Sequence, residues 1–447
     1  MTTLRYVNDY GNGHSGYINY GSGIVVTTAS GQPLEVTTAS GNTVYIQPAT
    51  TAGDAFGRLR TSSPLTLFDS SHRYRDNGLW STATGVGSTY VFSSGEGLIN
   101  LNLTTASGAY VTRETTKVCS YQPGKSLQVM NTFVMASGKA NLRQRVGYFG
   151  AANGVYLEVS GTATPSFVER NSISGSVAET RVSQANWNED KLDGSGPSGF
   201  TLDITKAQIS WFDIEWLGLG TVRAGFIING RLIHCHSFHH ANLITSTYMT
   251  TASLPLRYEI INLDTTASSS SLKQVCSTVL SEGGYELRGA QSTVGIPVAS
   301  PYDLTSASTF YPVISIRLKS TFLDAVVILT ALSIMGITNN ASYNWKVVIG
   351  GTTTGGTWVS AGDDSAVEYN ITGTSFTQGT GRGLASGFAQ GSTQGSSVID
   401  ILKEALFKSQ LERNGLTSTA LELTLTCASE DAGADILASM DWEEVSR

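Results

Sequence analysis

The feature that most constrains this chain is the period of its apolar residues. Short runs alternate apolar with polar positions and are then cut by clusters of Gly, Ser, Thr or Asn. That alternation sends successive side chains to opposite faces, the pattern of a half-buried β-strand. Leu127–Met135 and Val155–Val159 read this way, and in Ile209–Trp216 the residues Phe212, Ile214 and Trp216 alternate with Trp211, Asp213 and Glu215. Further strands are predicted at Arg257–Asn262, Val313–Leu318, Trp345–Ile349 and Ala420–Cys427. Asn229-Gly230, set between two apolar runs, tolerates positive φ at both centres and predicts a tight hairpin. One segment departs from the rule. In Ser397–Gly415, Leu402, Ala405 and Leu406 share a helical face, Ser397 can cap it and Gly415 can end it, so a helix is predicted. Without helices between strands, the expectation is all-β: two antiparallel β-sandwiches of the jelly-roll type rather than an α/β sheet.

At 447 residues the chain is long enough for more than one core. Residues 1–56 differ from the rest, being rich in Gly, Asn, Ser and Thr and punctuated by Tyr6, Tyr10, Tyr17 and Tyr20. They also carry a short repeat, Val26–Gly31 and again Val36–Gly41, too few copies for a solenoid. Such a segment buries little by itself and is expected to act as an extended assembly arm, ordered by docking on a neighbour. Gly289–Gly295, followed by Pro297 and Pro301, marks a second boundary. The predicted organisation is therefore an arm at 1–56, a sandwich at 57–297 and a second at 298–447.

Composition narrows the function. Charged residues make up only 14% and the net charge is −7, which speaks against a general basic surface for nucleic acid. Aromatic content of 9% and 40% hydrophobic residues are too high for a disordered polymer. The longest apolar run, Ala325–Ile337, falls short of a bilayer span and reads as a core strand, so no membrane insertion is expected. Cys119, Cys235, Cys276 and Cys427 stand singly and read as free thiols.

The residues that could carry chemistry are few. His234–His240 gathers four histidines and Cys235. On a regular strand no face collects more than His234, His236 and His240, and the spacing matches no paired zinc motif, so a structural strand is expected and no metal. Asp213 and Glu215 would share a strand face about 7 Å apart, a separation open to a glycosidase pair but also ordinary for a solvated strand. Asp363-Asp364 and Glu443-Glu444 read as loop and terminal charges, and Gly379–Gly383 as a loop without a nucleotide-binding context. The pairs Arg58/Arg60 and Arg73/Arg75 suit interfacial salt bridges better than nucleic acid. No catalytic residue and no cofactor are predicted. Trp187, Trp211 and Trp358 are the candidates for stacking on a glycan.

Several strings together carry a resemblance. Asp54–Pro64 with Leu67-Phe68-Asp69, Tyr121–Ser126, Arg145–Gly150 with Asn153-Gly154, Trp216–Arg223, Leu254–Ile260 and Asp441–Glu444 occur in one order from about residue 54 onward. In that order they resemble a family of tailed-phage virion structural proteins frequent in marine and cyanobacterial phages. The resemblance implies lectin-like β-sandwich domains and a non-enzymatic particle component, assembled in the host cytoplasm and carried on the virion. It implies other virion proteins as partners, and a homotrimer is the expected oligomer. The alternative is a receptor-binding fibre or lectin-like module that recognises host surface glycan. The His-rich strand and Ile401–Arg413, where the family would have a further strand, match it least.

Overall fold

The computed structural model describes residues 63–286, 289–323, 325–391, 410–417 and 419–446, together with the backbone of 3–6 and 14–17. The chain divides into two compact units, Met1–Ser62 and Ser63–Arg447. In the first, Thr3–Tyr6 pairs antiparallel with His14–Tyr17, placing Thr3 opposite Tyr17 and Tyr6 opposite His14. The arm residues Tyr10, Tyr20, Val26 and Val36 and the side chains of Tyr6 and Tyr17 lie outside the described residues, as do Arg58 and Arg60.

The second unit is all-β, built as two antiparallel β-sandwiches of the jelly-roll, lectin-like kind. The first packs a seven-stranded sheet on an eight-stranded one. The seven-stranded sheet runs, edge to edge, Ala178–Ser183, Ser166–Asn171, Gly154–Ser160, Leu142–Phe149, Leu256–Asn262, Tyr110–Thr115 and Trp80–Thr84. The other runs Arg231–Phe238, Val222–Ile228, Gln208–Ile214, Ser126–Val134, Ser270–Glu282, Leu98–Leu103 and Ser88–Ser93, with Pro64–Ser71 also on Ser270–Glu282. The predicted alternation is realised: in Ser126–Val134 the residues Leu127, Val129, Asn131 and Phe133 are buried and their neighbours half-exposed. Between the sheets Phe167 stacks on Trp187 at 4.6 Å and meets Phe212 edge-on at 5.8 Å. Truncating a ring so enclosed costs about 3–5 kcal/mol. Asn229 and Gly230 turn the predicted hairpin with φ of 52° and 74°.

The second core lies between a four-stranded sheet and a six-stranded sheet. Ala434–Ser446 is the shared member of the four-stranded sheet, pairing with Ala290–Gly295, Tyr302–Leu304 and Val326–Gly336. Ala290–Gly295 thus joins this core upstream of the boundary expected at 297/298. Val326–Gly336 is the apolar run read as a core strand. No helix among the described residues is long and apolar enough to cross a membrane.

The predicted helix is not formed where it is described. Residues 392–409 lie outside the description, but 410–414 run without helix into a turn at 415–417, with Leu411 bridging Val327 and Arg413 bridging Ala420. Leu411 is buried in the second core, so tertiary packing overrides a weak local preference. Cys119, Cys235 and Cys427 are buried free thiols, whereas Cys276 is exposed.

Candidate functional site

The most concentrated polar chemistry lies on the outer face of the seven-stranded sheet, away from the core. Register sets opposite charges side by side there: Arg145 is opposite both Glu158 and Glu259, Arg170 opposite Glu179, and Arg257 opposite Glu114. Cross-strand pairs of this kind are the unit of sheet stabilisation. Arg145 Nε donates to Glu158 Oε2 at 2.6 Å, and its other nitrogens reach Glu259 and Glu179, each at 3.4 Å. Arg181 Nε donates to Glu158 Oε1 at 2.8 Å and also pairs with Glu179. Glu179 further accepts from Arg170 at 2.6 Å and from the Tyr156 hydroxyl at 2.8 Å. The rings of Phe149 and Tyr156 form a small apolar cluster with Val168 beneath these cations, Arg145 and Arg170 each lying 5.2 Å from the Tyr156 centroid. Burial opposes charge on Glu179, but the Tyr156 hydroxyl and Arg170 outweigh it and hold the carboxyl at about 2. Every glutamate in this lattice has its partner.

A different arrangement closes the same face at the junction of the sandwiches. Arg257 holds Glu114 Oε2 at 2.5 Å, while Glu114 Oε1 is buried without a hydrogen-bond partner. Glu412, carried on the extended strap from the second sandwich, accepts the Val118 N–H at 2.7 Å. Burial pushes the Glu412 carboxyl up to about 8; the Val118 N–H and Lys117 pull it down, and the charge of Glu114 raises it further. Glu114, Arg257, Glu412 and Asn153 help line a cavity of about 90 Å³ between the two sandwiches.

The histidine strand is held by hydrogen bonds and ring contacts within the first sandwich. A bulge opposite Ala224/Gly225 breaks the alternation, so that His236 faces Ala224 and His234 faces Gly225. His234 Nε2 lies 2.9 Å from Ser237 Oγ, while the His236 ring packs edge-on to Phe238 at 4.5 Å and its Nδ1 accepts the Asn188 N–H. The expected sharing of a face by His234 and His236 is therefore lost, because the extra residue turns the strand. Burial holds His236 down at about 4. His240 stacks on Tyr248 at 3.9 Å and bonds Glu169 at 2.7 Å; burial works against its charge, but Glu169 outweighs it and raises its pKa. Among the described residues no three His, Cys, Asp or Glu side chains form a group fit to hold a metal.

The remaining sequence candidates disperse. Trp187 and Trp211 are 2% and 3% exposed, so neither ring can meet a glycan; this corrects their expected role. Trp187 lies in the inter-sheet core, and Trp211 donates to Ile233 O at 3.2 Å beside Gly225, where any Cβ would strike the indole. Alternation alone cannot separate such a ring from an exposed one. Trp358 is half-exposed, with the Arg317 guanidinium 3.9 Å above one face and Glu368 holding Arg317 at 2.6 Å. Asp213 is buried in an ion pair with Arg223, whereas Glu215 lies exposed beyond the end of the strand Gln208–Ile214, so the two do not make a carboxylate pair. Glu443 and Glu444 are buried anchors rather than terminal charges. Glu443 accepts from Gln291 at 2.9 Å and Glu444 from the Ala366 N–H at 2.6 Å. Arg73 and Arg75 are exposed, Arg73 lying over Tyr74 at 5.3 Å.

Sequence reasoning missed one concavity. The half-exposed rings of Tyr302 and Tyr311, with Pro297, Asp303, Thr305 and the loop Ile371–Thr374, line an open cleft of about 430 Å³ on the second sandwich. The Tyr302 hydroxyl donates to Gly373 O at 2.5 Å, and that of Tyr311 lies 2.7 Å from Thr305 Oγ1. A Cβ at Gly373 would meet Thr353 and Pro312, so glycine lets this loop pack closely against those two residues. The only signal in the sequence was a tyrosine after each of two turn clusters.

No family model matches the chain, and no curated protein matches it. Among solved structures it is similar to the endo-β-1,4-glucuronan lyase of the fungus Trichoderma reesei, at 9% identity, covering 48% of this chain and 95% of that one with a TM-score of 0.33. It is similar to the Bacillus licheniformis β-glucanase at 12% identity, over 51% and 99% of the two chains, with a TM-score of 0.31. The CBM2 module of the evolved Dit of Lactobacillus casei BL23 phage J-1 aligns at 5% identity over 51% and 100%, again at 0.31. Likenesses of this size carry no functional argument.

Proposed function

We propose that this chain is a non-enzymatic structural component of a tailed-phage virion, a pair of β-sandwiches displayed on the particle and anchored through residues 1–56. The observation that carries the non-enzymatic reading is the saturated lattice on the seven-stranded sheet. Acid–base or nucleophilic work on a glycosidic bond needs a carboxylate free to exchange a proton or attack. Glu158 and Glu179 are instead each held by two or more arginines, and Asp213, nominated by the sequence, is held by Arg223. The ordered strings that resemble those of phage structural proteins support placing it on a particle. Residues 63–447 form a compact unit of their own, which suits a body carried by a separate anchor.

Deletion of residues 1–56 tests the anchor. The truncated protein is expected to fold, with an unfolding transition like that of the full chain, and to be missing from purified particles. Normal incorporation of the truncated chain would end the anchor reading.

A second reading, recognition of a host surface glycan, is favoured by the tyrosine-lined cleft. The two readings are compatible, since a displayed sandwich can also bind.

A further inference from the structure

We infer that the cleft between Tyr302, Tyr311 and the loop Ile371–Thr374 is a saccharide subsite that takes a neutral or amino-substituted sugar and rejects an acidic one. This rests on the glycan reading above and deepens it by naming the site and the sugar class. A sugar ring offers apolar C–H faces and a rim of hydroxyls, and the site for it combines aromatic surface with a few fixed polar groups. The cleft supplies both: two half-exposed tyrosine rings and Pro297 on one hand, Asp303, Thr305, Thr372 and Thr374 on the other. Its volume of about 430 Å³ lies within the usual range of about 300–1,000 Å³ for small-molecule sites.

The cleft is also set before any ligand arrives. Both tyrosine hydroxyls are already hydrogen-bonded, Tyr302 to Gly373 O and Tyr311 to Thr305. The backbone of Tyr302–Leu304 is fixed by pairing with Ala434–Ile436. Rings held this way lose little rotamer freedom on binding, which removes part of the usual cost of association. Asp303 is exposed at the rim, and among the described residues no Lys, Arg or His lines the cleft. A uronate or sialate carboxylate would therefore meet a like charge with no cation to offset it, while a sugar hydroxyl or ammonium would find an acceptor.

Affinity electrophoresis of the full chain in gels containing laminarin, chitosan oligosaccharides or oligogalacturonate tests the inference, with isothermal titration for any polymer that retards it. Retardation by laminarin or chitosan oligosaccharides, and at least tenfold weaker binding of oligogalacturonate, is expected. Tyr311→Ala should weaken binding at least tenfold. Ser300→Arg, at an exposed rim position, should do the same without touching the core, which guards against a variant that merely misfolds. Asp303→Asn should narrow the gap between neutral and acidic polymers. Binding that survives Tyr311→Ala and Ser300→Arg but is lost in Trp358→Ala would overturn the cleft and leave the glycan reading standing. Preference for oligogalacturonate would overturn the sugar class. No binding by the full chain to any of the three would overturn the cleft and the glycan reading together.

Discussion

Glu179 and Glu412 are the same residue type, and they border the same outer face of the seven-stranded sheet, yet their carboxyls are driven in opposite directions. Glu179 is held at about 2 and Glu412 is pushed up to about 8. The difference is in the donors. Glu179 receives a tyrosine hydroxyl and three guanidinium groups, whereas Glu412 receives one backbone N–H and faces the carboxylate of Glu114. Burial penalises both; only the first is repaid. One half of the face is thus a closed ionic sheet, and the other is a junction whose charge depends on pH.

The comparison can be broken most forcefully at its cationic centre. Arg145→Ala removes the partner shared by Glu158, Glu179 and Glu259 and leaves those carboxylates packed together, so a loss of about 3–5 kcal/mol is expected in urea unfolding at pH 7. A loss under about 1 kcal/mol would mean that solvent already screens the lattice. Glu412→Gln sharpens the other side. Because the folded-state pKa of Glu412 is raised, the native protein holds a proton that the unfolded chain has released between about pH 4.5 and 8, and the wild type loses stability as pH rises through that window. The amide cannot ionise, so the variant should be more stable than wild type by about 2–4 kcal/mol at pH 9 and nearly equal at pH 4. Equal stability at both values would place Glu412 in contact with solvent. Glu179 has the opposite sign: its contribution is present above about pH 4.5 and is lost as pH falls through about 2. The smallest effect is expected at Trp358, whose stacking with Arg317 is half in solvent; Trp358→Ala should cost about 0.5–1 kcal/mol.

Much of the fold was legible because strand alternation is a local property. Leu127, Val129 and Phe133 could be assigned to the core from spacing alone, and Asn229-Gly230 announced its own turn. What the sequence hid was register and depth. Arg143, Arg145, Glu158, Arg257 and Glu259 are plain polar alternates until pairing sets them side by side. One bulged residue near Cys235 was enough to part His234 from His236. Trp211 sits on a strand position and Trp187 just after a 3-10 turn at Gln184–Asn186; neither looks different from an exposed residue in sequence, since what covers them comes from distant segments. The pairing of Leu411 with Val327 likewise joins a correctly read core strand to a segment whose local preference pointed to a helix.

Ala434–Ser446 binds three strands that are all made before it. Proteins fold largely from the N-terminus as they are synthesised, at about 5–20 residues per second. The first sandwich can close as soon as Ser270–Glu282 has emerged, whereas Ala290–Gly295, Tyr302–Leu304 and Val326–Gly336 must wait with open edges for their common partner. The second half of the molecule therefore passes through a period of exposed, unpaired strands on the ribosome, and holdase chaperones and low temperature should raise the yield of soluble protein.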